Sequence, residues 1–226
     1  MTALMDNDAD ALNVLMADAK LHAAKWMQRS NQRLPFTYLL HGTEGKLMFT
    51  PAERTNLKDG QSFWELAVTA QNAFEANAMV AAVEGWIWVN PKGVEQDEFA
   101  LPDKGTYRQK LLLLVGQTSG TRVEEHYRID RGERGEFLGF GEVDGKLLLR
   151  TRREFNSWFG EKPSEEEIQQ LLVNPAISKE QQKEFEMPEE EWRRQMKQSL
   201  RHEAQCAIIP YEEIDKHQKQ AICLGL

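Results

Sequence analysis

AAVEGWIWVN, residues 81–90, decides how the rest of the chain is read. Its β-branched and aromatic side chains, with no proline and a single glycine, make it the centre of a buried strand over 78–89. Strand residues point alternately to the two sides of a sheet. One side then carries Met79, Ala81, Val83, Gly85, Ile87 and Val89, the face expected to pack on helices. The other carries Ala78, Val80, Ala82, Glu84, Trp86 and Trp88. A bare sheet face does not normally show two tryptophans to water, so this second face needs a cover as well: the C-terminal helices, a second subunit or a ligand. Glu84 is the anomaly, an acid set in an otherwise apolar strand.

Upstream, residues 8–29 repeat apolar side chains at helical spacing: Leu12, Leu15, Met16, Ala19, Ala23, Trp26 and Met27. Two short β-prone runs, 36–41 and 46–50, flank Gly42-Thr43-Glu44-Gly45 and read as a hairpin. A second amphipathic helix is expected at about 60–77. Downstream, LLLLVGQ (111–117), TRVEEHYRID (121–130), EFLGFGEV (136–143) and KLLLRTRR (146–153) read as four further strands. The last two meet at Asp144-Gly145, a hairpin dipeptide. This order lacks the βαβα alternation of a parallel sheet. It predicts an α+β fold: a mostly antiparallel sheet with the two N-terminal helices on one face and a C-terminal helical appendage.

The pieces Leu34-Pro35 to Leu40, Ala82 to Trp86, and Pro102 through Val115 form a helix, hairpin, helix and strand layout. It is similar to one seen in small bacterial α+β proteins, over about residues 8–130. The resemblance implies a fold layout and no activity.

Of 226 residues, 41% are apolar and 28% charged, enough for a sizeable core. The net charge of −8 argues against a dedicated nucleic-acid binder. No apolar run reaches the ~18 residues that a membrane helix needs. The acidic N-terminus lacks the layout of a secretion signal, and the two cysteines, Cys206 and Cys223, read as reduced thiols. The expected location is the cytoplasm. Charge also divides the chain. Residues 1–160 carry a net −3 and residues 161–226 a net −5 in less than half the length. The expected organisation is an α+β domain over 1–160 and an acidic helical extension over 161–226, packed on the domain or on a partner. In the extension, Ser164 with Glu167 forms a capping box, and Pro188 followed by three glutamates opens a helix.

No nucleotide-binding loop, nucleophile elbow or metal-spaced Cys/His cluster occurs, so no cofactor or metal is expected. If Val123, Tyr127 and Ile129 face the helices, then Arg122, His126 and Arg128 line the second face beside Glu84, Trp86 and Trp88. A carboxylate, an imidazole and a guanidinium in one sheltered site can do acid–base work. The alternative is a Glu–Arg ion pair near a sheet edge with a solvated histidine. His41 at a turn, Cys206 one turn after His202, and the basic run Arg150–Arg153 carry less chemistry. Trp192, Met196 and Leu200 make a narrow apolar stripe on the last helix. The reading that follows is a non-catalytic protein acting through protein–protein contact, by a partner or by self-association as a dimer, with no nucleic acid and no membrane. Its rival is a small-molecule binder or enzyme using a Glu84/His126/Arg128 pocket walled by Trp86 and Trp88. A third reading, on charge alone, is an acidic mimic of nucleic acid.

Overall fold

The long central strand, β3 (Ala78–Asn90), has neighbours along both edges. The computed structural model describes residues 2–30, 32–50, 63–90, 107–143, 146–148, 188–202 and 206–216. At 2–7, 63–65, 87–90, 107 and 146–148 only the backbone is described. On one side β3 pairs with β4 (Tyr107–Thr118) over all but its last residue, from Ala78↔Thr118 to Val89↔Tyr107. On the other side it pairs first with β1 (Thr37–Gly42), which forms a hairpin with β2 (Gly45–Thr50). Beyond β4 follow β5 (Arg122–Arg131) and β6 (Phe137–Gly141). All pairings are antiparallel, as the order of elements predicts.

Among the described residues, three helices cover the sheet. The first, α1 (Thr2–Arg29), packs Leu12, Leu15, Met16, Ala19, Ala23, Trp26 and Met27 on Leu39, Ala78, Val80, Ala82, Leu112 and Leu114. Gly116 lies directly beneath it. A Cβ there would stand 2.7 Å from Met16 Sδ and 2.8 Å from Leu12 Cδ1, so any side chain would have to displace the ends of these two core residues. The second, α2 (Phe63–Ala73), packs on the opposite face against Tyr38, Leu40, Phe49, Met79, Ala81 and Val115. The two N-terminal helices therefore do not share a face, as expected from the sequence, but sandwich the sheet. Helical and strand periodicities say which residues turn inward, and they do not say which side of the sheet each helix crosses to. The cover expected over the second face of β3 (the C-terminal helices, a second subunit or a ligand) is not what lies there: α1 covers Ala78, Val80 and Ala82, while Trp86 beyond them is 63% exposed.

The C-terminal extension departs further from expectation. Its helix α3 (Glu189–His202) joins the α2 layer, with Leu200 1% exposed and Met196 packed against the same core. Arg193 pairs with Glu75 (2.6 Å), and Lys197 pairs with Glu44 in the β1–β2 turn. So cations of the extension dock on acids of the domain; the basic run Arg150–Arg153 lies outside the described residues. Glu75 itself has a φ of 47°, the left-handed geometry that ends α2. The extension then supplies a strand that helical periodicity could not announce: β8 (Ala207–Pro210) pairs with β2 and closes that edge of the sheet. The capping box at Ser164 and the expected boundary at 160 lie outside the described residues. Among the described residues, no helix is long and apolar enough to cross a membrane.

A third correction concerns β7 (Lys146–Leu148). It does not form a hairpin with β6 but pairs with β3 at Trp88–Asn90. The reason is length. At 13 residues β3 outruns the six-residue β1, and its far end offers a free ladder on that side.

Because Leu200 fills the α2 layer, Leu200→Ala should cost about 2–5 kcal/mol, the range for emptying a buried leucine site. Chemical denaturation checks this. A cost below about 0.5 kcal/mol would mean that α3 is not part of the core.

Candidate functional site

Glu84 stands where β1 leaves β3. The β1–β3 register ends at Thr37↔Ala82, because Pro35, two residues before Thr37, has no N–H to continue a ladder. The incoming chain must still satisfy its backbone, and Glu84 does so with both ends. Its Oε2 accepts a hydrogen bond from the Leu34 N–H at 2.7 Å. Its main-chain oxygen accepts two from Arg33, Nη2 at 2.8 Å and Nε at 3.2 Å. The other carboxylate oxygen, Oε1, is met by the ammonium of Lys110, the residue across from Trp86 on β4. Glu84 is 1% exposed, and a buried carboxylate is tolerable only with such partners. The ion pair expected with arginine is therefore made with lysine. Arg33 grips the backbone instead.

Trp86, two residues on, is 63% exposed. It lies past the end of α1, on the face that α1 covers elsewhere. Lys110 Nζ stands 6.0 Å from the centre of its ring. Arg108 shares this face and is exposed, as is Arg33. Among the described residues no carboxylate pairs with Arg33, whose guanidinium is held by a neutral carbonyl. An exposed indole with a lysine ammonium near its ring, in a chain of net charge −8, is the most distinctive surface feature among the described residues. The Trp88 side chain lies outside the described residues.

The expected partners from β5 are on the wrong side of the sheet. Glu84 pairs with Leu112, and Leu112 with Tyr127, so Tyr127 is the β5 residue on the Glu84 face. Val123 and Ile129 join it there, facing α1. Arg122, His126 and Arg128 lie on the opposite face, and the sheet separates them from Glu84. There Arg122 pairs with Glu124 (2.5 Å), and Arg128 with Asp130 (2.6 Å). Burial lowers the pKa of His126, with Glu124 acting the other way. Val123, Tyr127 and Ile129 do face a helix, as their alternation predicts. Their neighbour His126 falls away from Glu84 because both faces carry helices, and Glu84 shares α1's.

The remaining candidates are placed as follows. Trp192 is half-buried on α3, with Met196 and Leu200 beneath it in the same chain. His41 hydrogen-bonds Asn77 (2.9 Å), which in turn donates to Asp8. Cys206 is buried, and that burial pushes its thiol up to about 12, so it is a poor nucleophile. Cys223 lies outside the described residues.

One feature went unnoticed in the sequence. The chain after β8 folds over α1, with the Tyr211 hydroxyl donating to Asp18 (2.7 Å) and Lys25 pairing with Asp215 (3.1 Å). Between them opens a cavity of about 180 Å³, lined by Leu21, His22, Lys25, Tyr211, Glu212, Ile214 and Asp215. Nothing in the spacing of these residues signals it, since they are nearly two hundred positions apart. Burial and the Lys25 charge hold His22 down at about 4 against the partial opposition of Asp215, so its imidazole is neutral at physiological pH.

Two outcomes follow. Glu84→Gln keeps an acceptor for Leu34 and loses the Lys110 pair, so it should cost about 1–3 kcal/mol without changing the fold. A variant as stable as the parent would show that Glu84 is not the clasp described. For His22, the unfolded chain binds a proton near pH 6.5 that the folded chain refuses until about 4. Stability is therefore complete above the unfolded value and falls as pH drops between these limits, by on the order of 3 kcal/mol. His22→Gln should remove that slope from the pH dependence of thermal unfolding, and an unchanged slope would count against it.

No family model, curated protein or solved structure matches this chain.

Proposed function

We propose that this is a cytoplasmic protein acting without catalysis, by protein–protein contact through the Trp86 surface, and that its partner presents an acidic segment there. The observation that carries the reading is the exposure of Trp86 with Lys110 Nζ 6.0 Å from its ring and the exposed Arg33 held on the main-chain oxygen of nearby Glu84. Tryptophan and arginine are the residues most enriched at the energetic centres of protein interfaces. A rigid indole supplies contact area at little entropic cost, and nearby guanidinium groups take carboxylates in bidentate fashion. The Glu84 clasp adds rigidity. It fixes Lys110 and Arg33 before any partner arrives, which lowers the ordering cost of binding. The overall negative charge weighs against nucleic acid as the occupant. The rival pocket of Glu84, His126 and Arg128 has no support from this geometry, since its members lie on opposite faces.

A glutamate-rich peptide carrying one phenylalanine, titrated into the whole chain at low salt, tests the reading. Binding should weaken about tenfold or more in Trp86→Ala and in Arg33→Glu, the loss expected of interface anchors. Thermal unfolding of Trp86→Ala should be unchanged, because its ring is mostly in water. Peptide affinity that is absent, or equal in parent and both variants, would reject the surface. Tighter binding of a single-stranded oligonucleotide through the same two residues would reject the class of partner.

A further inference from the structure

The helical strap after β8, residues 211–216, belongs to no strand and is fastened to α1 by two clasps one turn apart. The Tyr211 hydroxyl donates to Asp18 (2.7 Å), and Asp215 takes Lys25 (3.1 Å) and Arg29 (3.5 Å). Asp18, His22, Lys25 and Arg29 follow one another at turn spacing, so they form a single stripe of α1. His22 is the member between the clasps. Its imidazole lines the cavity between α1 and the strap and is 4% exposed. Ile214, also between the clasps, is buried against Met48 and Ile209. One short segment thus covers an imidazole and closes a small apolar cluster.

We propose that residues 211–216 are an acid-released strap: proton uptake by His22 favours a state in which the strap has left α1 while the domain stays folded. The closed strap is a poor place for a new positive charge. Lys25 lines the same cavity, Arg29 stands at the Asp215 clasp, and Lys46 lies under Tyr211. The acids nearby are engaged or in water. Asp18 is bonded to Tyr211 and Lys46, Asp215 to Lys25 and Arg29, and Glu212 and Glu213 are exposed, as is Lys216. Burial, and after it the Lys25 charge, hold His22 at about 4 in the closed form, against the opposite pull of Asp215. Released into water, the ring returns to about 6.5. The open form therefore takes the proton first, so closure is complete above pH 6.5 and weakens as pH falls towards 4. Asp215 is held below the ordinary carboxylate range, first by its hydrogen bond from Lys25, so its ion pairs persist at pH 5. The response there belongs to His22. Between pH 7.5 and pH 5 the open fraction should rise about 25-fold. Opening uncovers the imidazole together with Met48 and Ile209.

None of these residues belongs to the Trp86 surface, so the two readings stand or fall separately. Hydrogen exchange of the whole chain, followed residue by residue by NMR and corrected for intrinsic rates at each pH, tests the strap. The Ile214 N–H, bonded to the Tyr211 carbonyl, should exchange faster at pH 7.5 than the N–H groups of Leu112 and Leu114 in β4. Its protection should fall about 25-fold at pH 5, and in His22→Gln that fall should vanish. Tyr211→Phe removes one clasp and no charge. It should lower Ile214 protection about fivefold or more at both pH values while the ratio between them stays. Protection of Ile214 equal to that of β4 would overturn the proposal, since the strap would then open only with the whole domain. So would an equal fall in His22→Gln, or protection that Tyr211→Phe leaves unchanged.

Discussion

β3 carries the architecture because it is both the longest strand and the place where each layer meets. Of its 13 residues all but Asn90 pair with β4, and both faces bear apolar side chains beneath helices. A strand so placed excludes water from both sides, which strengthens its ladder and makes any polar group on it costly. Glu84 is tolerated because it stands at the one point where β1 has departed and β7 has not yet arrived. The backbone of Arg33 and Leu34 needs partners there, and Glu84 provides them.

The same arrangement relates stability to the candidate surface. The clasp that ends β1 also positions Lys110 near the Trp86 ring and holds Arg33 at Glu84, so an internal hydrogen-bonding requirement sets the surroundings of an exposed group. Interface anchors built on a sheet in this way need little reordering on contact. The C-terminal extension works in a comparable manner on the other side. Its cations hold α3 on α2, and β8 protects the backbone of β2 that would otherwise be an open edge.

Much of this was legible in residue patterns. The helical spacing in 8–29 named the α1 core residues, and the alternation in 78–89 correctly divided β3 into two faces. The apolar character of both faces required a cover on each. The rest was hidden for one reason. Periodicity is a property of a single element, whereas the side of the sheet on which a helix lands depends on the path of its connections. Glu84 and His126 could not be assigned to opposite faces without the register that links Glu84 through Leu112 to Tyr127. Leu34 and Lys110 were likewise invisible as partners of Glu84, because one contributes only a backbone N–H and the other looks like an ordinary surface lysine.

By itself, then, the sequence determined the α+β class, the antiparallel pairing and the identity of the buried stripes. Each is written in local composition and in periods of two or of 3.6 residues. Tertiary structure alone decided that α1 and α2 lie on opposite faces, that the extension adds a strand, and that β7 pairs with β3. These are contacts between segments tens to hundreds of residues apart, chosen by strand lengths and loop paths that no short stretch of sequence contains.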